Sequence, residues 1–106
     1  MLDRTPLRIE VLTADATTVQ VALSGDLDYV TVAQLSALTL APGYRSLDMD
    51  LSGLLFIDSS GLAALIRLAN VANAEKASFR VTALTPYLRN LLRMTALDQL
   101  FNVPRE

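Results

Sequence analysis

The stretch Phe56–Leu62, which reads FIDSSGL, decides how this chain of 106 residues is organised, because an apolar run there meets the start of a helix. Asp58 and Ser59 are typical helix caps, and the residues that follow are rich in alanine and leucine, which are strong helix formers. We predict that residues 54–57 form a buried linker and that a helix covers roughly residues 59–74. Two hydroxyl groups then lie at the beginning of that helix.

Alternation of apolar and polar residues on either side of this junction predicts four strands. The first two should pair as an antiparallel hairpin, and Ser52-Gly53 should end the third. Each strand has only one apolar face, whereas strands covered on both faces are apolar throughout. We therefore expect an α/β fold with a small mixed β-sheet, its helices packed mainly on one face and the other face largely solvated. The alternating segments are residues 7–11, 19–24, 47–51 and 79–83.

Two further helices are predicted from their start signals. Thr31 and Gln34 have the spacing of a capping box, with Val30 and Leu35 as a hydrophobic staple, and this helix should end at Pro42-Gly43. Thr85-Pro86 pairs a capping residue with proline at the first helical position of the third helix. The element order is therefore β-β-α-β-α-β-α, within a single domain over residues 1–106.

The composition argues against several classes of function. The chain has no cysteine and no histidine, so it offers no thiolate, no Ser-His-Asp triad and no histidine-ligated metal. Its four glycines form neither a dinucleotide fingerprint nor a phosphate-binding loop. The net charge of −2 gives no general attraction for nucleic acid, and neither a membrane span nor a signal peptide is visible. We expect a cytoplasmic protein that is not an enzyme, needs no cofactor or metal, and neither binds nucleic acid directly nor inserts into a membrane.

The serines at the start of the middle helix are the leading candidate site. The first N–H groups of a helix have no intrahelical partner and carry about half a positive charge, so a phosphate on Ser59 or Ser60 would be accepted there. Gly61 leaves the approach to the hydroxyl uncrowded. The alternative is that Asp58 or Ser59 simply caps the helix. Because no histidine base accompanies them, the serines are better interpreted as groups acted upon than as nucleophiles.

A second candidate is the cluster Gly25-Asp26-Leu27-Asp28 at the end of the second strand. We expect both carboxylates to lie beyond the carboxyl end of that strand, where ligands of α/β sheets collect. The alternative is a solvated turn. Asp48 and Asp50 are expected to be solvated on the open face of the third strand.

These residues, in this order, resemble a STAS domain of the anti-sigma-factor antagonist type, over about residues 7–103. The resemblance implies that Ser60 is phosphorylated by an anti-sigma factor with serine kinase activity and dephosphorylated by a PP2C-type phosphatase. The unphosphorylated form would bind the kinase and release the sigma factor. The chain departs from the family at Ala96, where glycine is common. The implied partner-binding residues are Asp26, Asp28, Thr31, Asp58, Ser59, Ser60 and Gly61; the motifs that carry the resemblance are Gly25–Asp28, Thr31, Leu51–Leu54, Phe56–Leu62 and Thr85-Pro86.

Two other functions remain open at this point. One is a non-switching STAS adaptor subunit of a transport, lipid-trafficking or stress-signalling complex, in which the serines only cap the helix. The other is a small-molecule binder that holds a nucleotide phosphate at the start of the middle helix. A hydrolase ranks last because no base is available.

Overall fold

The computed structural model describes residues 4–104 and contains a four-stranded sheet with strand order β1-β2-β3-β4. β1 and β2 are antiparallel, whereas β2, β3 and β4 run parallel to one another, so the sheet is mixed as expected. The predicted element order is confirmed. The elements are β1 (Arg8–Thr13), β2 (Thr18–Leu27), α1 (Val32–Ser36), β3 (Ser46–Ile57), α2 (Ser59–Ala74), β4 (Ser78–Leu84) and α3 (Pro86–Met94).

The core lies between one face of the sheet and the helices. Alternate residues of β2, β3 and β4 are buried there, whereas most of their neighbours on the opposite face are polar and at least partly exposed. The helices contribute small and branched apolar side chains to the same core. Burial of these groups is the main stabilising term, because it removes apolar surface from water. Core residues include Val21, Leu23, Leu47, Met49, Leu65, Ala69, Phe79, Val81, Leu88 and Leu92.

Asp48 departs from the expectation of simple solvation on the open face. Its carboxylate is buried and accepts two hydrogen bonds from Arg80, at 3.0 Å from Nε and 2.8 Å from Nη2. Ser46 Oγ donates a third at 2.9 Å. The bidentate contact raises the pKa of the Arg80 guanidinium above its ordinary value. The two residues are direct cross-strand neighbours of β3 and β4, and only the strand register brings them together.

β3 is longer than the alternation predicted. It continues through Ser52-Gly53, so the expected break and the buried linker over residues 54–57 are both wrong. The pairing with β2 survives because β3 inserts extra residues as bulges: β2 advances from Ala22 to Leu27 while β3 advances from Asp50 to Ile57. The ends of β2 and β3 therefore remain side by side up to the start of α2.

α1 is much shorter than predicted, because it ends at Ser36 rather than at Pro42-Gly43. The N–H groups of Ala37 and Leu38 close the last turn. The residue before a proline is disfavoured in the helical region, which opposes continuation towards Pro42. The staple is also wrong, since Val30 is exposed.

α2 and α3 begin where they were expected. At the start of α3 the Thr85 hydroxyl accepts a hydrogen bond from the N–H of Leu88 at 3.2 Å, with Pro86 in the first turn. After α3, Ala96 adopts a left-handed conformation with φ of 60°, which explains why glycine suits this position. No helix within residues 4–104 combines the length and apolar character needed to cross a bilayer.

The two edges of the sheet differ. The β4 edge is covered by the segment that follows α3: Val81 N–H donates to the carbonyl of Phe101 at 2.8 Å, and Asn102 Nδ2 donates to the carbonyl of Phe79 at 2.7 Å. The rings of Phe79 and Phe101 also pack at 5.5 Å between centroids. At the other edge, β1 pairs only with β2 among the described strands.

Candidate functional site

The beginning of α2, residues 58–61, is here called the α2 entry, and Asp58 organises it. Asp58 Oδ1 accepts a hydrogen bond from the N–H of Gly61 at 3.0 Å, which is the side-chain cap of the helix. Asp58 Oδ2 accepts another from the N–H of Tyr29 at 3.1 Å. One carboxylate therefore caps α2 and ties it to the loop that follows β2.

The serines do not cap the helix. Ser59 is exposed and Ser60 is half-buried, and neither hydroxyl forms a hydrogen bond within residues 4–104. Of the two alternatives for the cap, Asp58 is the one found. Both hydroxyls are thus unengaged at the positive end of a helix of 16 residues.

Gly61 has a packing role that differs from the one expected. It is buried, and a Cβ atom at this position would lie 2.6 Å from the carbonyl oxygen of Leu27 and 2.7 Å from Ile57 Cγ1. The N–H of Asp58 also donates to the carbonyl of Leu27 at 3.2 Å. Gly61 therefore allows α2 to begin directly against the ends of β2 and β3, rather than clearing a path to the serine hydroxyl.

The residues before α1, 28–31, form the corresponding α1 entry, and there the carboxylate is buried. Asp28 is only 3% exposed. Its Oδ1 accepts hydrogen bonds from the N–H groups of Val30 at 3.0 Å and Thr31 at 3.1 Å, and its Oδ2 is ion-paired with Arg4. A buried carboxylate requires such partners, because an uncompensated charge is costly to bury.

Thr31 is buried and its hydroxyl is fully engaged. Oγ1 accepts a hydrogen bond from the N–H of Asp28 at 3.0 Å and donates one to the carbonyl of Asp26 at 2.8 Å. It makes no side-chain cap to α1, so the predicted capping box with Gln34 is wrong. The hydroxyl fixes the loop before the helix instead.

Asp26 lies within β2 rather than beyond it, because β2 extends to Leu27; of the two carboxylates, Asp28 alone follows the strand. Asp26 and Thr5 exchange two hydrogen bonds, from Thr5 N–H to Asp26 Oδ2 and from Asp26 N–H to the Thr5 carbonyl, both at 3.1 Å. Gly25 has a φ of +87°, and its missing side chain makes room for the backbone of Pro6. The segment 4–6 is thereby held across the end of β2.

The structure brings the predicted site residues together at the carboxyl ends of β2 and β3. Only part of the set faces outward, however. Asp28, Thr31 and Gly61 are buried and bonded or packed internally, whereas the other four are partly or fully exposed. Arg4 compensates the charge of Asp28 and also lies over the Tyr29 ring at 5.8 Å. The outward-facing residues are Asp26, Asp58, Ser59 and Ser60.

Large apolar side chains border the α2 entry, and the sequence-based analysis missed them. Tyr29 is 72% exposed and Leu55 is 65% exposed, although Leu55 was expected to lie in a buried linker. The signal was present: four consecutive apolar residues in a strand with one open face cannot all be buried. Tyr87 reaches the same place, with its hydroxyl 3.5 Å from the Ile57 carbonyl that it donates to. We call this set the apolar rim: Tyr29, Val30, Leu55, Phe56 and Tyr87.

Comparison with known proteins places this geometry among related folds. A family model described as "Mlab, STAS domain" matches residues 11–103. No curated protein matches the chain.

Solved structures share the whole architecture. An anti-sigma factor antagonist from Mycobacterium paratuberculosis matches with a TM-score of 0.72 at 29% identity, covering 94% of this chain and 86% of that one. The anti-sigma factor antagonist SpoIIAA in its unphosphorylated form matches with a TM-score of 0.73 at 19% identity, covering 93% and 90%. The Bacillus cell fate determinant SpoIIAA in the phosphorylated form matches with a TM-score of 0.68 at 19% identity, covering 93% of each chain.

Proposed function

Because this chain belongs to the STAS domain family, whose members of this type are binding domains rather than enzymes, we propose that it is an anti-sigma-factor antagonist controlled by phosphorylation of Ser60. The observation that carries the proposal is the α2 entry. Asp58 alone caps the helix, which leaves the Ser60 hydroxyl unengaged at the positive helix end and next to the apolar rim.

The unphosphorylated protein docks an anti-sigma factor with serine kinase activity through the apolar rim and the α2 entry. Exposed aromatic side chains are the usual anchors of protein interfaces. Asp26, Asp58, Ser59 and Ser60 contact the partner directly. The buried members of the predicted set, Asp28, Thr31 and Gly61, act by shaping the loop and the helix start. Docking releases the sigma factor, and a PP2C-type phosphatase in the same cytoplasm resets the protein.

Phosphorylation changes the interface more than the fold. A phosphoryl group adds about −1.5 to −2 charges. The helix N-terminus favours that charge by about 0.3–1 kcal/mol, so the folded state persists. In support, a protein of this fold has been solved in both unphosphorylated and phosphorylated forms. Burying the charge beside Asp58 against a partner fitted to a hydroxyl would cost about 2–4 kcal/mol, or roughly 30- to 1000-fold in affinity.

Phosphorylation by the cognate anti-sigma factor kinase with ATP tests the site. Mass spectrometry should place one phosphate, on Ser60. Ser60→Ala should abolish the modification, while the matched variant Ser59→Ala should retain it. Phosphate found only at other positions would contradict the assignment of Ser60.

Calorimetry with the same kinase tests the switch. Ser60→Ala should bind like the unmodified protein, and Ser60→Asp should bind about 30-fold more weakly or worse while remaining folded. Equal affinity of both variants would instead support the non-switching STAS adaptor, an alternative favoured by the family description, which names Mlab and no sigma-factor regulator.

A further inference from the structure

The open edge of β1 has the features of a self-pairing surface. We propose that two copies of this chain associate through antiparallel β1–β1 pairing, which joins their sheets into one of eight strands. This surface lies on a different strand from the serines and does not depend on the proposed function.

β1 offers an edge that nothing else in the described part of the chain covers. The opposite edge of the sheet is occupied by the segment after α3, whereas β1 has only β2 as a neighbour. Five of its six residues are exposed, and Ile9 is half-buried. Unpaired edge strands bind other strands unless proline, lysine or a bulge blocks them, and β1 has no proline, lysine or bulge.

The hydrogen-bond pattern shows which residues face outward. Ala14 N–H donates to the carbonyl of Thr18 at 2.9 Å, directly after the last pair of the β1–β2 ladder. Because hydrogen-bonded pairs alternate in an antiparallel ladder, Leu12, Glu10 and Arg8 direct their backbone groups towards β2. The residues between them, Ile9 and Val11 among them, direct their N–H and carbonyl groups to the free edge.

Charge selects the register. Arg8 and Glu10 lie on the same face of β1, with Arg8 Nε 3.5 Å from Glu10 Oε1, and both are largely exposed. Placing Ile9 opposite Ile9 of a second copy sets each Arg8 opposite a Glu10, in non-hydrogen-bonded pairs where side chains approach closely. A shift by one residue sets Glu10 opposite Glu10. The next shift sets it opposite Leu12.

The same register also uses the apolar groups of β1. Val11, which is exposed in the single chain, lies opposite Leu7 of the second copy. About six main-chain hydrogen bonds form across the new pair. The edge charges of β1 are therefore self-complementary and favour the association that edge charges usually prevent.

Charge exchange tests the pairing in the full chain. By light scattering at millimolar concentration, the protein should have about twice the 11.5 kDa mass of one chain. Arg8→Glu or Glu10→Arg should weaken association about tenfold or more, because each sets like charges opposite each other. The double variant should restore it. A monomer at millimolar concentration, or a double variant no better than the single ones, overturns the proposal. A monomeric wild type would leave the edge to a strand of another protein.

Cysteine cross-linking tests the register, and the chain has no cysteine of its own. Ile9→Cys should form a disulfide dimer on oxidation, because the two Cα atoms would lie about 5.5 Å apart. Val11→Cys, the matched control on the same strand, should cross-link far less. Equal or preferred cross-linking of Val11→Cys would contradict the register, and circular dichroism would show that both variants are folded.

Discussion

The α1 entry and the α2 entry begin alike and end differently. Each starts with an aspartate whose carboxylate accepts a hydrogen bond from the residue three positions later. At the α1 entry the carboxylate is buried and paired with Arg4, and the Thr31 hydroxyl is engaged in two hydrogen bonds. At the α2 entry the carboxylate is half-buried and the serine hydroxyls remain unengaged within the described residues. One entry is built for stability, and the other leaves a hydroxyl accessible for chemistry.

The fourth residue of each entry explains much of this difference. Thr31 brings a hydroxyl into the loop and closes it, whereas Gly61 brings no side chain and lets the helix begin against β2. The remaining hydroxyls of the α2 entry then point away from the packed side. A modifiable hydroxyl at a helix start thus requires that another group caps the helix.

The largest effect should come from giving the α2 entry the fourth residue of the α1 entry. Gly61→Thr places a branched side chain within 2.6 Å of the Leu27 carbonyl oxygen and should destabilise the protein by about 3–4 kcal/mol. Urea unfolding measures the free energy. Ala63→Thr, on the exposed face of the same helix, is the matched control and should cost less than about 0.7 kcal/mol. Equal costs for the two variants would show that Gly61 is not closely packed.

Removal of the two aspartates should rank the entries. Asp28→Ala leaves Arg4 and two backbone N–H groups without their acceptor and should cost about 2–3 kcal/mol. Asp58→Ala removes a more accessible cap and should cost about 1 kcal/mol. Thermal and urea unfolding of both variants provide the comparison. If Asp58→Ala proves the more damaging, the distinction between the entries is wrong.

The smallest effects should come from the hydroxyls. Thr31→Val leaves the N–H of Asp28 and the carbonyl of Asp26 unpaired and should cost about 1–2 kcal/mol. Ser60→Ala breaks no hydrogen bond within residues 4–104 and should change the free energy of unfolding by less than about 0.5 kcal/mol. A Ser60→Ala cost as large as that of Thr31→Val would reveal a structural role for the serine.

Predictions from local patterns succeeded where neighbours in sequence decide the outcome. α2 spans Ser59–Ala74 as predicted, and Thr85 caps α3 with Pro86 in its first turn. They failed where distant segments compete. Thr31 forms bonds with Asp28 and Asp26 instead of capping α1, and β3 continues past Gly53 because bulges keep it paired with β2.

The candidate site was predictable in part for the same reason. Asp58, Ser59 and Ser60 are adjacent in sequence, so a helix start places them together. The apolar rim was missed, because residues 54–57 were assigned to a buried linker and Tyr29 lies in a loop that only Asp58 Oδ2 brings to the helix.

The amino-acid sequence alone determined the order of the elements, the apolar face of the sheet and the position of the serines at a helix start, since periodicity and capping act over a few residues. Tertiary structure alone decided which hydroxyls are engaged, that Arg4 compensates Asp28, and that Arg80 compensates Asp48. Those outcomes depend on strand register and on contacts between segments distant in the chain, where a shift of a single residue changes every neighbour.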